Sequence, residues 1–593
     1  MVDSRPTNQA VGYRCGTHLM LLGSCRNRKR QNEVCGGESK SRNVQAVRWL
    51  IVLAICSVTT FGEAFAEVVR VRNEADVVFL NGRFYTVDES QPWADAVAIQ
   101  DGKFVGVGTQ SEVEAYVGNS TTVIDLEEKF VLPGMHDAHT HIELNGSKWT
   151  SWCNVSESAT PQQFISTLKG CAARKGPDEW LVAAAYSPDM FPERQATRNF
   201  LDKHFPERPI YIVEHSWHHG IANSRALEIA GIDDLTPDPT AGRIVRDEHG
   251  RATGELIENA VWLVKQHIPP TDPEVLQRLV KWVISAHSRF GVTSVQDAGT
   301  TMDVLKALHV LDAEEGLPLH VAAHLVWGQP GLGDASREEL DRLVEDRARF
   351  SSQRVGTDFV KLIVDGSPMP PHSNHADLDP VAGTIPEDRL LLALKDLNSA
   401  VARFDRQGIK VKMHCVGTGA ARAALDAIEF ARNKNGDSGI AHEVAHSVWY
   451  ADADLRRVAE VGAVAEMSPA IWHHGWPGME DAFPFAQLLK TGALVTAGTD
   501  WVILPDPNLL PALEGMVTRQ GHEIPLEDAV RILTINGALS VGKADMFGSI
   551  EVGKSADMAI LDRNLFEIPQ EEIGAVHVLM TVFEGRIVYP MPD

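Results

Sequence analysis

Positive charge is scarce in this chain. Lys and Arg number 55 against 80 Asp and Glu, a formal net charge of −25. A surface of that sign repels phosphate backbones and anionic lipid, so neither nucleic acid nor an anionic membrane surface is expected as a partner. The apolar run Trp49 to Val58 has only ten residues, short of the ~20 that a membrane span requires. Cysteine is sparse as well, with seven residues in 593. Three of them fall in the first 48 residues and Cys56 lies inside the apolar run, which leaves Cys153, Cys171 and Cys415. An odd, low count excludes a disulfide framework. One Cys153–Cys171 bridge could form in an oxidising compartment. What is present, 44% hydrophobic and 23% charged residues, is the composition of a soluble globular protein.

The N-terminal 48 residues differ from the rest, with nine Lys or Arg against three acids. Arg48, the apolar run and a tail ending Ala64-Phe65-Ala66 follow the three-part order of a secretory signal. Residues 1–66 therefore read as a basic extension plus signal peptide, cleaved after Ala66. Export to the periplasm or the medium follows, with no stable membrane span once the signal is gone. An uncleaved anchor is the alternative.

From residue 75 the chain reads as short strands and tight turns. Val77 to Leu80 and Phe84 to Val87 flank Asn81-Gly82, a hairpin signal, and Ala96 to Ile99 and Phe104 to Val107 flank Asp101-Gly102. The far end repeats the style around Glu584-Gly585. Residues 67–130 and 546–593 are therefore expected to build one β-sandwich from both ends of the mature chain.

The middle, 131–545, alternates strand and helix. Thr271-Asp272-Pro273-Glu274 opens a helix, with a capping hydroxyl on Thr271, Pro in the first turn, and Glu three residues after Thr. Val275/Leu276, Leu279/Val280 and Val283/Ile284 then mark one helical face, and Gly291 closes it. Eight strands are expected, ending near His139, Asp297, Leu325, Asp365, His414, His446, Ser468 and Asp500. That count predicts an α/β fold, a parallel (β/α)8 TIM barrel. About 150 residues separate the first two strands, far beyond an ordinary crossover, so 150–270 is expected as an inserted subdomain. A doubly wound open sheet is the runner-up; it calls for a Gly-rich phosphate turn after the first strand, and none is there.

In such a barrel the chemistry sits at the C-terminal strand ends. His139 and His141, two apart on an extended chain, leave the first strand on one face. His414, His446 and Asp500 close three others, and Lys361 lies within the fourth. Each alone has a plain explanation as a packed histidine, a helix cap or an ion pair. Four histidines and an aspartate at matching ends of separate strands need a common one. A divalent ion of the zinc type supplies it.

These motifs together resemble the amidohydrolase superfamily, in the branch that contains N-substituted formamide deformylase. The resemblance runs from about residue 75 to 590. It rests on Pro133-Gly134-Met135-His136-Asp137-Ala138-His139-Thr140-His141, on Gly291 to Gly299 and Lys361 to Ser367. His414 to Gly417, His442 to His446, Gly498 to Trp501 and Val552 to Asp557 complete it. It implies a metal-dependent hydrolase of non-peptide amide-type C–N bonds in a small-molecule substrate. His139, His141, His414 and His446 are implied metal ligands, and Asp500 is both ligand and catalytic proton shuttle. Zinc is the ion implied, as one ion or two. Lys361 matches a lysine that many members carry as a carbamate; burial beside cations favours the neutral amine that reacts with carbon dioxide. His218, in Trp217-His218-His219-Gly220, matches an insert motif and is a candidate substrate contact. A homo-oligomer is left open.

Three stretches depart from the branch: Thr418, Glu466-Met467-Ser468-Pro469, and Pro368 to His372. They are expected around the substrate, so the specificity of known members does not transfer. His136 reads as a bystander, and His372, His375, His473 and His474 as loop histidines, solvated by default, any of which could meet substrate. Two rival functions remain: deamination on the same barrel, and a metal- or solute-binding barrel without turnover. The first lacks the Glu that superfamily deaminases place near the fifth-strand His, and the second has no use for Asp500.

Overall fold

The computed structural model describes residues 74–590, except 157, 329–335, 371 and 475–477. The extension and signal expected over 1–66 lie outside the described residues. Among those described, no helix is long and apolar enough to cross a membrane.

Eight parallel strands stand side by side in sequence order: β1 Met135–Thr140, β2 Val292–Thr300, β3 His320–Val326, β4 Val355–Ile363, β5 Lys410–Cys415, β6 Glu443–His446, β7 Val464–Met467 and β8 Leu494–Ala497. Register keeps their C-terminal ends level. Ile363 pairs with His414, Cys415 with His446, and Met467 with Ala497. The sheet closes just past β8, where the Asp500 N–H donates to the His139 carbonyl at 2.8 Å and Thr140 bridges Trp501. Glycine is required at that seam. A Cβ on Gly498 would stand 2.2 Å from the His139 nitrogen.

Helices sheathe the barrel. Helix Pro273–Ser288 buries Leu276, Leu279, Val280, Val283 and Ile284, each worth about 1.5–3 kcal/mol of transfer free energy. Its cap differs from expectation. The carboxylate of Asp272, not the hydroxyl of Thr271, accepts the N–H groups of Glu274 and Val275. Proline at the first helical position places Asp272 immediately before the helix, where a side-chain oxygen reaches those orphan donors.

Both chain ends contribute to the sheet Arg586–Tyr589, Val578–Phe583, Met558–Leu561, Phe130–Pro133, Arg83–Tyr85 and Trp93–Ala94. A second sheet holds Lys103–Gly108, Ala96–Gln100, Val77–Leu80 and Thr122–Asp125. Strands Ala96–Gln100 and Lys103–Gly108 pair around Asp101-Gly102, both with positive φ (50° and 76°), as a two-residue hairpin needs. The Asn81-Gly82 hairpin does not form. Its flanking strands belong to different sheets, and the turn is the corner between them. Gly82 packs there against the Phe84 ring, where a Cβ would come within 2.5 Å.

Between β1 and β2 the chain makes a mixed sheet in the order Gly242–Arg246, Ala252–Glu258, His219–Ala222, Ile210–Glu214, Leu181–Tyr186, Cys153–Asn154. Cys153 and Cys171 are disulfide-bonded, their Cα atoms 5.8 Å apart, which ties the last of these strands to helix Pro161–Ala172. Cys415 is free and buried.

Candidate metal centre

His139 and His141, two apart in extended chain, turn towards the same space. Asp137 does not join the donors; it staples the seam. Its Oδ1 accepts the N–H groups of His139 (3.1 Å) and Thr499 (2.9 Å), and its Oδ2 accepts the Thr499 hydroxyl (2.6 Å). Asp500 is thereby delivered beside the two imidazoles. One ligand atom from each of His139, His141 and Asp500 lies within 4.8 Å of the others. His141 Nε2 is 3.3 Å from Asp500 Oδ1, and His139 Nε2 is 4.0 Å from it.

The remaining expected donors lie beside this group. His446 Nδ1 is 3.8 Å from Asp500 Oδ2, and the His446 ring lies 4.4 Å from both the His139 and the His414 ring centroids. Lys361 Nζ is 3.3 Å from His139 Nε2. His218, reaching in from the insertion, has its ring 4.9 Å from that of His414. His446 and Asp500 carry left-handed backbone, φ 64° and 48°. Residues other than glycine in that region are strained and cluster at functional sites.

Donor chemistry fits a divalent cation. His414 Nε2 is buried and has no hydrogen-bond partner among the described residues, a costly state unless an ion takes its lone pair. Burial, then the neighbouring Lys361 ammonium, lowers the pKa of His139; burial also lowers those of His414 and His446. Neutral imidazole is the ligating form. Burial, reinforced by Lys412, lowers Lys361 from the usual lysine range as well.

Two functional neighbours escaped sequence reasoning. Glu466 of β7 was expected near substrate, but it points into the barrel under the donors. It accepts the His139 Nδ1–H at 2.6 Å and the His446 N–H at 3.2 Å. Burial raises its carboxyl pKa. The available signal was a carboxylate set in an apolar run, Val464-Ala465-Glu466-Met467. Asp137 carried a signal too, two residues before His139. Thr418 also differs from expectation: its hydroxyl accepts the Leu378 N–H at 3.0 Å, which ties the start of a barrel helix to the loop after β4. Of the departures, Pro368 and Met369 do border the cavity.

Two further histidines have definite partners. His136 Nδ1 lies 2.8 Å from Ser294 Oγ and its Nε2 accepts from Gln296 at 3.1 Å, so it belongs to a buried polar layer of the barrel interior. His372 Nε2 lies 3.1 Å from Glu255 Oε2, a tie between the loop after β4 and the insertion.

The donors open into a cavity of about 220 Å³. Trp152, Tyr211 and Trp217 of the insertion form one wall, and Ile471, Phe483 and Val502 of the barrel loops another. A parallel barrel with imidazoles and a carboxylate gathered at its C-terminal mouth is the framework of a metal-dependent hydrolase. The chain belongs to the amidohydrolase family, whose model matches residues 122–589. It is 26% identical over 549 residues to the N-substituted formamide deformylase of Arthrobacter pascens, covering 87% of this chain and 98% of that protein. It is also 26% identical over 550 residues to Protein LONG AFTER FAR-RED 3 of Arabidopsis thaliana, covering 87% and 92%. Among solved structures, an uncharacterized metal-dependent hydrolase from Pyrococcus horikoshii superposes with a TM-score of 0.63 at 22% identity, covering 83% of this chain and 99% of that one. That last likeness concerns the fold.

Proposed function

We propose that this protein hydrolyses a non-peptide amide-type C–N bond of a small molecule, with Asp500 as its proton shuttle and zinc as its ion. The observation that carries the reading is the gathering of His139, His141 and Asp500 within 4.8 Å at the barrel mouth. The relative from Arthrobacter pascens, an N-substituted formamide deformylase by name, supports the bond type.

His139, His141, His414, His446 and Asp500 would hold the metal, with Lys361 joining them as a carbamate if two ions bind. A divalent ion held there supplies Lewis acidity and eases the deprotonation of water near neutral pH. Asp500 takes the proton of the attacking water and returns it to the leaving nitrogen, first base and then acid. Glu466 keeps the His139 hydrogen on Nδ1, so that Nε2 offers its lone pair. The aromatic and aliphatic walls receive the substituent of the amide and exclude water. His218 borders the same space and contacts the substrate.

Export to an oxidising compartment is part of the proposal. The Cys153–Cys171 bond supports it, because such bonds persist outside the reducing cytosol.

The test is a screen of N-formyl and N-acyl compounds with zinc-loaded protein, scoring amine release. Amine release that is lost with Asp500→Asn is the expected result. Ammonia released from ring-amine substrates instead would show a deaminase.

A further inference from the structure

Glu258 ends the insertion strand Ala252–Glu258, and its backbone sits at φ 49°, ψ −126°. Residues with side chains rarely adopt that conformation, and one persists there only where its surroundings hold it. The strained residue aims a buried carboxylate at one imidazole. Its two oxygens lie 3.0 and 3.1 Å from His218 Nδ1. The Glu258 N–H donates to the His218 carbonyl at 3.1 Å, which joins the two residues through backbone as well.

The barrel holds the same carboxylate from the other side. Asn374, in the segment after β4, donates from Nδ2 to Glu258 Oε1 at 2.9 Å. Asn374 is itself fixed to Ser367 by two bonds of 3.0 Å, one accepting the Ser367 N–H and one donating to its carbonyl. His219 Nε2 approaches Glu258 Oε1 at 3.9 Å. An imidazole nitrogen that faces a carboxylate carries a hydrogen, so Nδ1 of His218 is committed to Glu258. The ring borders the cavity and stands 4.9 Å from His414. Its Nε2 is the polar atom left for a ligand.

We propose that Glu258 is a positioning residue of this site: it locks the His218 ring so that Nε2 meets the polar group of a substrate held at the barrel mouth. This rests on the hydrolase reading and adds to it, because it makes the insertion a working part of the site as well as a wall. The strained backbone then has a use, since a relaxed Glu258 would carry its carboxylate away from Nδ1.

The test uses the full chain loaded with zinc, formanilide as probe substrate and released aniline as readout, on Glu258→Gln, His218→Ala and the double variant. Glu258→Gln is expected to lower kcat/KM by about 10- to 100-fold, as for removal of an orienting partner, with metal content and Tm unchanged. In the His218→Ala background the same change is expected to add less than about twofold. An equal loss in both backgrounds would overturn the proposal, and so would a Glu258→Gln variant as active as the natural chain. A crystal structure of Glu258→Ala supplies a readout free of turnover. The His218 ring is expected to leave its place or take several orientations, and an unmoved ring overturns the proposal. If the natural chain neither binds zinc nor releases aniline, the hydrolase reading fails, while the ring position still decides the role of Glu258.

Discussion

Glu466 and His139 meet side chain to side chain, Oε2 to Nδ1 at 2.6 Å, with neither side chain exposed to solvent. A carboxylate behind an imidazole fixes its tautomer and makes its other nitrogen a better donor. Glu466→Gln is therefore expected to weaken metal affinity by about 10- to 100-fold while the barrel stays folded. Titration of apo-protein with zinc, followed by calorimetry, measures it. An unchanged affinity would mean that His139 does not serve the metal.

Asp500 is delivered to the mouth by the Asp137–Thr499 staple. Asp500→Asn keeps the side chain's volume and removes its capacity to take a proton. Turnover on any substrate found is expected to fall by about 10²- to 10⁴-fold, with the circular dichroism spectrum unchanged. Retained turnover would assign the proton transfer elsewhere.

Acid stability should depend on a site remote from the metal. Asp405 is buried, which opposes its charge. Its hydrogen bonds outweigh that effect and hold its carboxyl well below the usual range: His442 at 3.1 Å, Ser438, and Asn435 at 2.8 Å. Arg432 adds an ion pair at 2.8 Å. A depressed carboxyl stabilises the fold fully above its unfolded pKa of about 3.9 and loses that contribution as pH falls through the folded value. Asp405→Ala leaves Arg432 without its buried partner. It should destabilise the protein by about 3–5 kcal/mol near neutral pH and less at pH values below about 3. Thermal melts across a range from about pH 2 to about pH 7 should show the two proteins converging at the acid end; a constant gap would contradict this.

Reducing agent should act on the insertion. The Cys153–Cys171 bond joins residues 18 apart, one on a strand and one on a helix. Cys153→Ser is expected to cost about 2–4 kcal/mol, read as a lower onset of thermal unfolding and earlier proteolysis within 153–258. Identical melts with and without reductant would contradict it.

Much of the barrel was legible because several βα units repeat one pattern: a helix face, a glycine stop and a short apolar strand closed by a polar residue. Level strand ends follow from parallel pairing. Residues as distant in the chain as His141 and Asp500 could therefore be placed together from the pattern alone. Pairings that depend on side-chain direction were not legible. Glu466 could face substrate or core until the register of β7 was known. The Asn81-Gly82 turn has the composition of a hairpin, yet the two sheets compete for its strands and tertiary packing decides. The strain at Glu258, His446 and Asp500 leaves no mark in composition, because it is imposed by the surrounding fold.

The most direct test of the central claim is anomalous diffraction at the zinc edge from crystals of zinc-loaded protein. A peak within ligand distance, about 2.0–2.2 Å, of His139, His141 and Asp500 is the predicted result. Stoichiometric zinc bound elsewhere, with no peak between those three residues, would contradict it.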